Sequence, residues 1–382
     1  MDLKNVLKDI RLECRNSMGR GFDQKVVVIE SDDWGSIRQP SRALYDTQMN
    51  RGSRPDRDPF FHYDSLERNE DLELLLEVLT RHKDAHGRPA VITSNYAVAN
   101  PDFEKIGKCG FAQYHFESVE ETLRSDPCCS QVKAIWKQGM DAGVWAPQLH
   151  GREHVQIEKW MKSLRRGEAE TLWAFSNRMV STAGSIASDN RYAYMDAFNY
   201  ASAADNSREK IERIVRDAVQ LFTHLFGLAP QTFVAPCYVW NDALEEALRL
   251  NSIDSMQGGW YQWVPEGEDS LRKRVHYNGE FKGGQLHTVR NCLFEHSMFG
   301  SGDAVESCLK QMESAFRWHR PAIISSHRLN YMGRIEEANR GRGLRLLGDL
   351  LRRICRTWPD AAFISSGDLT DLYRGKRLRR AA

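Results

Sequence analysis

The sequence predicts an α/β protein built on parallel strands, with a barrel favoured over an open sheet. Three observations carry this. Short apolar, β-branched runs alternate with helical stripes along almost the whole chain. About seven or eight such units follow one another, which suits a ring of strands. Carboxylates, imidazoles and aromatic groups collect just after the apolar runs, at the strand ends where a parallel barrel carries its chemistry. Periodicity alone does not separate the ring from an open sheet.

The composition allows this class and excludes others. Of the 382 residues 41% are hydrophobic and 27% charged, with a formal net charge of +1. Wholesale disorder, a collagen-like chain and a disulfide scaffold are ruled out. A near-neutral chain offers no broad basic field, so nucleic acid is not an expected partner. The N-terminus alternates charges without an apolar segment, and no run approaches the ~18 apolar residues of a membrane span. Neither a signal peptide nor a membrane span is expected. The eight cysteines are scattered and include no Cys-x-x-Cys pair, so the expectation is reduced thiols in the cytoplasm.

The elements follow in order. Residues 1–24 read as an N-terminal helical extension and 25–373 as one barrel domain. Lys25-Val-Val-Val-Ile-Glu30 is continuously apolar, as for a strand covered on both faces. Leu72, Leu75, Leu76 and Leu79 repeat at helical spacing. Ala90–Ser94 and Val144–Leu149 are the next strands, although Pro147 argues against a central position for the latter. A helix over 207–226 places Ile211, Ile214, Val215, Ala218, Leu221, Phe222 and Leu225 on one side. Gln231–Ala235, Ser252–Gln257 and Leu286–Asn291 are strand-like, with a helix over Asp242–Leu250. Val305, Cys308, Leu309, Met312 and Phe316 form a helical stripe before the strand Ala322–Ser326. Leu344, Leu347, Leu350, Leu351 and Ile354 form the last stripe, before Ala361–Ser365. Residues 104–140 and 155–206 break the alternation and are expected to be insertions, loops that shape a substrate cleft. The basic tail, 374–382, reads as a solvated end.

The polar residues after each strand suggest a site. The first strand leads into Glu30-Ser-Asp32-Asp33-Trp-Gly35, the second into Thr93-Ser-Asn95, the third into His150-Gly-Arg-Glu-His154. The later ones lead into Pro236-Cys-Tyr238-Val-Trp240 and Ser-Ser-His327-Arg328. If a helix starts at His150, His150 and His154 share a face and both imidazoles reach one ion; a buried hydrogen-bonded histidine pair is the other reading. Asp32 and Asp33 could cap a helix or sit in a turn. Alternatively, a cation beside one leaves the other as a carboxylate base. His327 is either a structural histidine or a general acid, and His287 and His296 stay open. Trp34, Tyr96, Tyr238, Trp240 and Trp260 serve either as sugar-stacking walls or as core.

Taken in order, these motifs resemble those of the polysaccharide deacetylase family, the NodB-homology or carbohydrate esterase family 4 type, in a divergent form. The resemblance spans residues 25–330. It implies a distorted (β/α)7 barrel, with Asp33, His150 and His154 holding a divalent metal, usually zinc and sometimes cobalt or nickel. It further implies Asp32 as general base, His327 as general acid and a backbone N–H near Tyr238 as an oxyanion donor. Asn95, Pro236, Tyr238, Trp240, Glu295 and Arg328 are the candidates for substrate or oxyanion contacts.

Four features depart from the family pattern, one of them the long gap from Asp33 to His150. Trp34 separates Asp-Asp from Gly35. The arginine that orients the base in the family would fall at Val234, leaving Arg38, Arg290 or Arg328 to take its place. The segment that tunes the acid histidine is not recognisable, with Glu295 as its stand-in. The implied activity is metal-dependent removal of an acetyl group from an N-acetylated, or O-acetylated, sugar or glycan precursor. A C–N hydrolase acting on a non-sugar amide and a catalytically inactive glycan-binding barrel are the alternatives.

Overall fold

Seven parallel strands form the framework: β1 (Val26–Trp34), β2 (Ile92–Ala97), β3 (Trp145–Gly151), β4 (Thr232–Val234), β5 (Ser255–Gly258), β6 (Gln285–Val289) and β7 (Ala322–His327). The computed structural model describes residues 3–186, 190–201, 206–267, 270–299 and 304–376. Strand neighbours run β6-β5-β4-β3-β2-β1-β7. The ring returns on itself through the residues after β6. Arg290 N–H still donates to Gly258 O beyond the end of the β5 pairing, whereas Asn291 N–H donates to Ile323 O on β7. Cys292 and Leu293 then pair with Ile324 and Ser325. One stretch of chain therefore serves two neighbours, with a seam between Arg290 and Asn291. The fold class is the α/β architecture expected from the sequence.

Burial explains the residue patterns. Every residue of β1 and β2 is buried, because helices cover the outside of the ring and side chains fill the inside. The leucine stripes of Asn69–Thr80 and Glu337–Thr357 and the mixed stripe of Ala304–Arg317 face this core. Pro147 sits inside β3, a central strand, against the sequence expectation. The ladder from β3 to β4 is a single pair, Leu149 with Phe233. The Gln148 side-chain oxygen instead accepts the N–H groups of Gln231 and Thr232 at 2.9 and 2.8 Å, so a side chain joins β3 to β4 where the backbone ladder is short.

Part of the segment read as an insertion belongs to the repeat: Val132–Asp141 is the helix between β2 and β3. Residues 103–114 pack with Ile157–Arg165 and Ala169–Ser176 into a satellite core of Phe103, Ile106, Trp160, Met161, Val180 and Tyr194, while Val119, Leu123 and Cys129 join the main core. The N-terminal helix, α1 (Leu3–Ser17), lies over the seam, where Asn16 bonds Ser314 and Asn291. Ala362–Phe363 pairs with the start of β1. Tail residues 377–382 lie outside the described residues.

Arg328 ties the loop after β1 to the end of β7. It is wholly buried and donates to Asp64 (2.8 Å), Glu67 (2.9 Å) and Ser36 O (2.5 Å). Glu67 in turn accepts the Gly35 N–H at 3.1 Å. Gly35 has φ +77°, and a Cβ there would meet Ala97 O at 2.4 Å, so this turn admits no side chain. Removing the guanidinium leaves buried Glu67 without a cation and buried Asp64 with Arg38 alone. Arg328→Ala is therefore expected to lose about 3–5 kcal/mol of unfolding free energy; a loss below about 1 kcal/mol in chemical denaturation would contradict this account.

Candidate active site

The site begins with an irregularity in β1. Ser31 pairs with Ser94 and Trp34 with Tyr96, so β1 holds one extra residue and bulges between them. Asp33 takes the left-handed conformation there, φ +75°, at a cost on the order of 1 kcal/mol. In a regular strand neighbouring side chains face opposite ways. The bulge turns both Asp32 and Asp33 into one cavity of about 310 Å³.

Asp33 meets the two histidines. Its Oδ1 lies 3.3 Å from His150 Nε2 and 3.0 Å from His154 Nε2. No helix starts at His150, contrary to the condition set by the spacing. His150 is the penultimate residue of β3, the chain turns at Gly151 with φ +131°, and the next helix starts only at Ile157. A strand end and a loop thus do what one helical face was expected to do.

The donor set fits a first-row divalent cation. His150 Nδ1 lies 2.8 Å from Val234 O, an acceptor only, so Nδ1 carries the proton and Nε2 presents a lone pair. Burial pushes the His154 imidazole down to about 4, against the pull of Asp33, so it is neutral at pH 7. Its Nδ1 is buried without a hydrogen-bond partner. Burial alone would raise the Asp33 carboxyl, but His154, His150 and Arg38 hold it well below the usual range. One carboxylate oxygen and two imidazole nitrogens lie within 4.8 Å of one another.

Asp32 is held separately. Arg290, at the seam of the ring, donates Nη1 to Asp32 Oδ2 at 2.5 Å and Nη2 to Oδ1 at 2.7 Å. Its Nε donates to Glu30 at 2.7 Å. Asn95 adds a bond to Asp32 Oδ1 at 2.8 Å. Burial favours the neutral acid, but the Arg290 fork outweighs it and holds Asp32 down at about 2. Of the three arginines left open by the sequence, the structure brings Arg290 to Asp32. Arg38 lies against Asp33 and Asp64.

His327 completes the constellation. Its Nε2 is 3.9 Å from Asp32 Oδ2, and its Nδ1 is 2.6 Å from Glu295 Oε1. The other Glu295 oxygen accepts from Asn330 at 2.6 Å. Burial lowers the imidazole, but Glu295 outweighs it, so His327 is raised to about 9 and carries a proton at neutral pH.

Several sequence candidates lie elsewhere. Arg328 does not reach the cavity, being locked under Asp64 and Glu67. Trp240 is buried, with its indole N–H on Glu245, and Pro236 is buried between the lining residues Ala235 and Cys237. Glu295 lies behind His327 and does not line the cavity. The Tyr238 N–H donates to Ala235 O at 3.0 Å, closing a tight turn, so it is not free for an oxyanion. The Tyr238 ring does line the cavity, with its hydroxyl 3.1 Å from Arg290. Trp34 and Tyr96 pack against Trp145 and Trp136 in the core, and Trp260 lies beneath Arg15. His287 is buried in β6, stacked on His276 at 4.0 Å, and His296 meets Asn330 O. The walls are instead Phe60, Phe61, Tyr192 and Met195. The aromatic run Phe60-Phe61-His62-Tyr63 in a proline- and arginine-rich loop was the available signal for the first two.

No protein-family model matches the chain, and no curated protein matches it. Among solved structures the chain is similar to a putative polysaccharide deacetylase from Mycobacterium smegmatis, at 10% identity and TM-score 0.44, covering 96% of this chain and 97% of that one. It is similar to a putative glycoside hydrolase/deacetylase from Parabacteroides distasonis at 9% identity and TM-score 0.47, covering 93% and 72%. A family 4 carbohydrate esterase from Streptomyces lividans, in complex with acetate, is similar at 10% identity and TM-score 0.35, covering 88% and 91%.

Elemental analysis of untagged protein offers the direct check on the Asp33 cluster. About one zinc, cobalt or nickel ion per wild-type chain is expected, and none in His154→Ala. Equal metal content in the two proteins would remove the cluster as a metal site.

Proposed function

We propose that the chain is a metal-dependent deacetylase that hydrolyses an acetamide on a sugar, or the corresponding acetyl ester. One observation carries the reading: the Asp32 carboxyl and the His327 imidazole face each other across 3.9 Å beside the Asp33–His150–His154 cluster. Each has its own buried counter-ion, Arg290 for the base and Glu295 for the acid. Acid and base thus keep opposite protonation states at the same pH, which acyl-transfer chemistry requires.

A divalent cation held by Asp33, His150 and His154, with zinc the first choice, would supply Lewis-acid polarisation of the acetyl carbonyl and acidify a water. The chain's own residues do the rest. Asp32, fixed at both oxygens by Arg290 and Asn95, orients the attacking water and accepts its proton. His327 gives its proton to the leaving nitrogen or oxygen, since an amine leaves too poorly as an anion. Phe60, Tyr192 and Tyr238 line the space for the sugar and restrict water.

Acetate release from N-acetylglucosamine oligomers and aryl acetates tests the reading. Asp32→Asn should lower kcat by about 10²–10⁴-fold while the metal content stays unchanged. The acid form of His327 exists below its raised pKa, so activity is expected to fall as pH rises through about 9. Glu295→Gln removes the partner that raises it, so that limb should move to lower pH. Metal-loaded wild type that releases no acetate but binds glycan would replace the hydrolase with a binding barrel.

A further inference from the structure

Between β5 and β6 the described residues build no helix. They form an antiparallel pair instead, Tyr261–Pro265 against Leu271–Val275, for which the proposed hydrolysis has no use. Alternation sorts its side chains into two faces. Gln262 and Val264 are buried, and Gln262 donates to Trp240 O at 2.9 Å. Arg272 and Arg274, opposite them, are held by Glu266 and Asp242. The other face carries Tyr261, Trp263, Lys273 and Val275, with Tyr261 36% and Val275 37% exposed. Lys273 Nζ lies 4.4 Å from the Tyr261 ring centre and 5.2 Å from that of Trp263.

Two connections join this face to the cavity. Trp240 N–H donates to Trp263 O at 3.1 Å, and Val239 bridges Trp263, so the strand is stitched to the loop that bears Tyr238. Arg191, a cavity-lining residue, places its guanidinium 4.7 Å from the Tyr192 ring and 5.7 Å from the Trp263 ring. Aromatic surface therefore continues outward from the cavity through Tyr192 and Trp263 to Tyr261. Two cations accompany it. Among the described residues neither Arg191 nor Lys273 has an ion-pair partner, in contrast to Arg272 and Arg274.

The geometry points to a second glycan subsite on this outer face, which takes a sugar residue bearing a carboxylate or phosphate. The rings offer flat apolar surface to the C–H face of a pyranose. The unpaired ammonium and guanidinium select a negative substituent by charge-assisted hydrogen bonds. The occupant is the continuation of the glycan whose acetylated residue enters the Asp32–His327 cavity. That assignment rests on the deacetylase reading, whereas binding at the face does not require hydrolysis.

The test is tryptophan-fluorescence titration of the full-length protein with three probes: oligogalacturonate (carboxylate), an oligo(glycerol phosphate) (phosphate) and chitohexaose (neutral). At least one acidic oligomer is expected to bind about tenfold more tightly than chitohexaose, with an advantage that shrinks as salt rises. The tighter of the two identifies the acid. Lys273→Glu and Tyr261→Ala should each weaken it about tenfold, Lys273→Arg should keep it, and all three variants should retain wild-type metal content and unfolding midpoint. Equal binding of chitohexaose, unchanged binding by Lys273→Glu and Tyr261→Ala, or no binding of any oligomer to wild type would overturn the subsite. So would a single-stranded oligonucleotide that binds as tightly as the acidic glycan. Absent acetate release with intact acidic-glycan binding would fail the hydrolase reading alone and leave the subsite standing.

Discussion

The pairing of Arg290 with Asp32 is the interaction on which the rest of the site depends. β1 and the loop after it bury five carboxylates, Glu30, Asp32, Asp33, Asp64 and Glu67. Buried ionised acids are tolerated only when cations and donors meet them. Arg290 serves Glu30 and Asp32, Arg38 lies between Asp33 and Asp64, and Arg328 holds Asp64 and Glu67. This division leaves the Asp33 oxygen nearest the two histidines facing only their nitrogens, which is the arrangement a cation would complete.

The same arginine links chemistry to architecture. Arg290 comes from the seam where the ring passes from β5 to β7, with α1 packed outside. A regular strand continuing through that point would keep pairing with β5. The break is what brings its guanidinium inward, 258 residues along the chain from the carboxylate it holds. Across the ring, the bulge in β1 turns two consecutive aspartates inward. Two local departures from strand geometry, on different strands, thus bring Asp32 to Arg290 and Asp33 to the two histidines.

Much of the framework was legible in the residues. The continuous apolar run Val26–Ile29 and the leucine stripes became strands and helices because a strand buried on both faces and a helix buried on one each require that pattern. Asp32, Asp33, His150, His154 and His327 stood out because each follows an apolar run, and parallel strands aim their ends the same way. Pro147 misled because the rule against a central proline assumes full ladders on both sides, whereas β3 meets β4 through one backbone pair and the Gln148 side chain. Arg328 misled because its position after His327 says nothing of the carboxylates beneath it, and Trp34, Tyr96 and Trp240 because a large ring is as useful in a core as on a wall.

Local pattern in the sequence thus determined the α/β class, the order of the strands along the chain and the residues able to carry acid, base and metal chemistry. Only the tertiary structure decided which arginine meets Asp32, which carboxylate raises His327 and which aromatic residues face the cavity. Those choices depend on side chains tens to hundreds of residues apart meeting at distances near 3 Å, and on one bulge and one seam. Side-chain proximity of that kind is a property of how the ring closes, and no spacing along the chain encodes it.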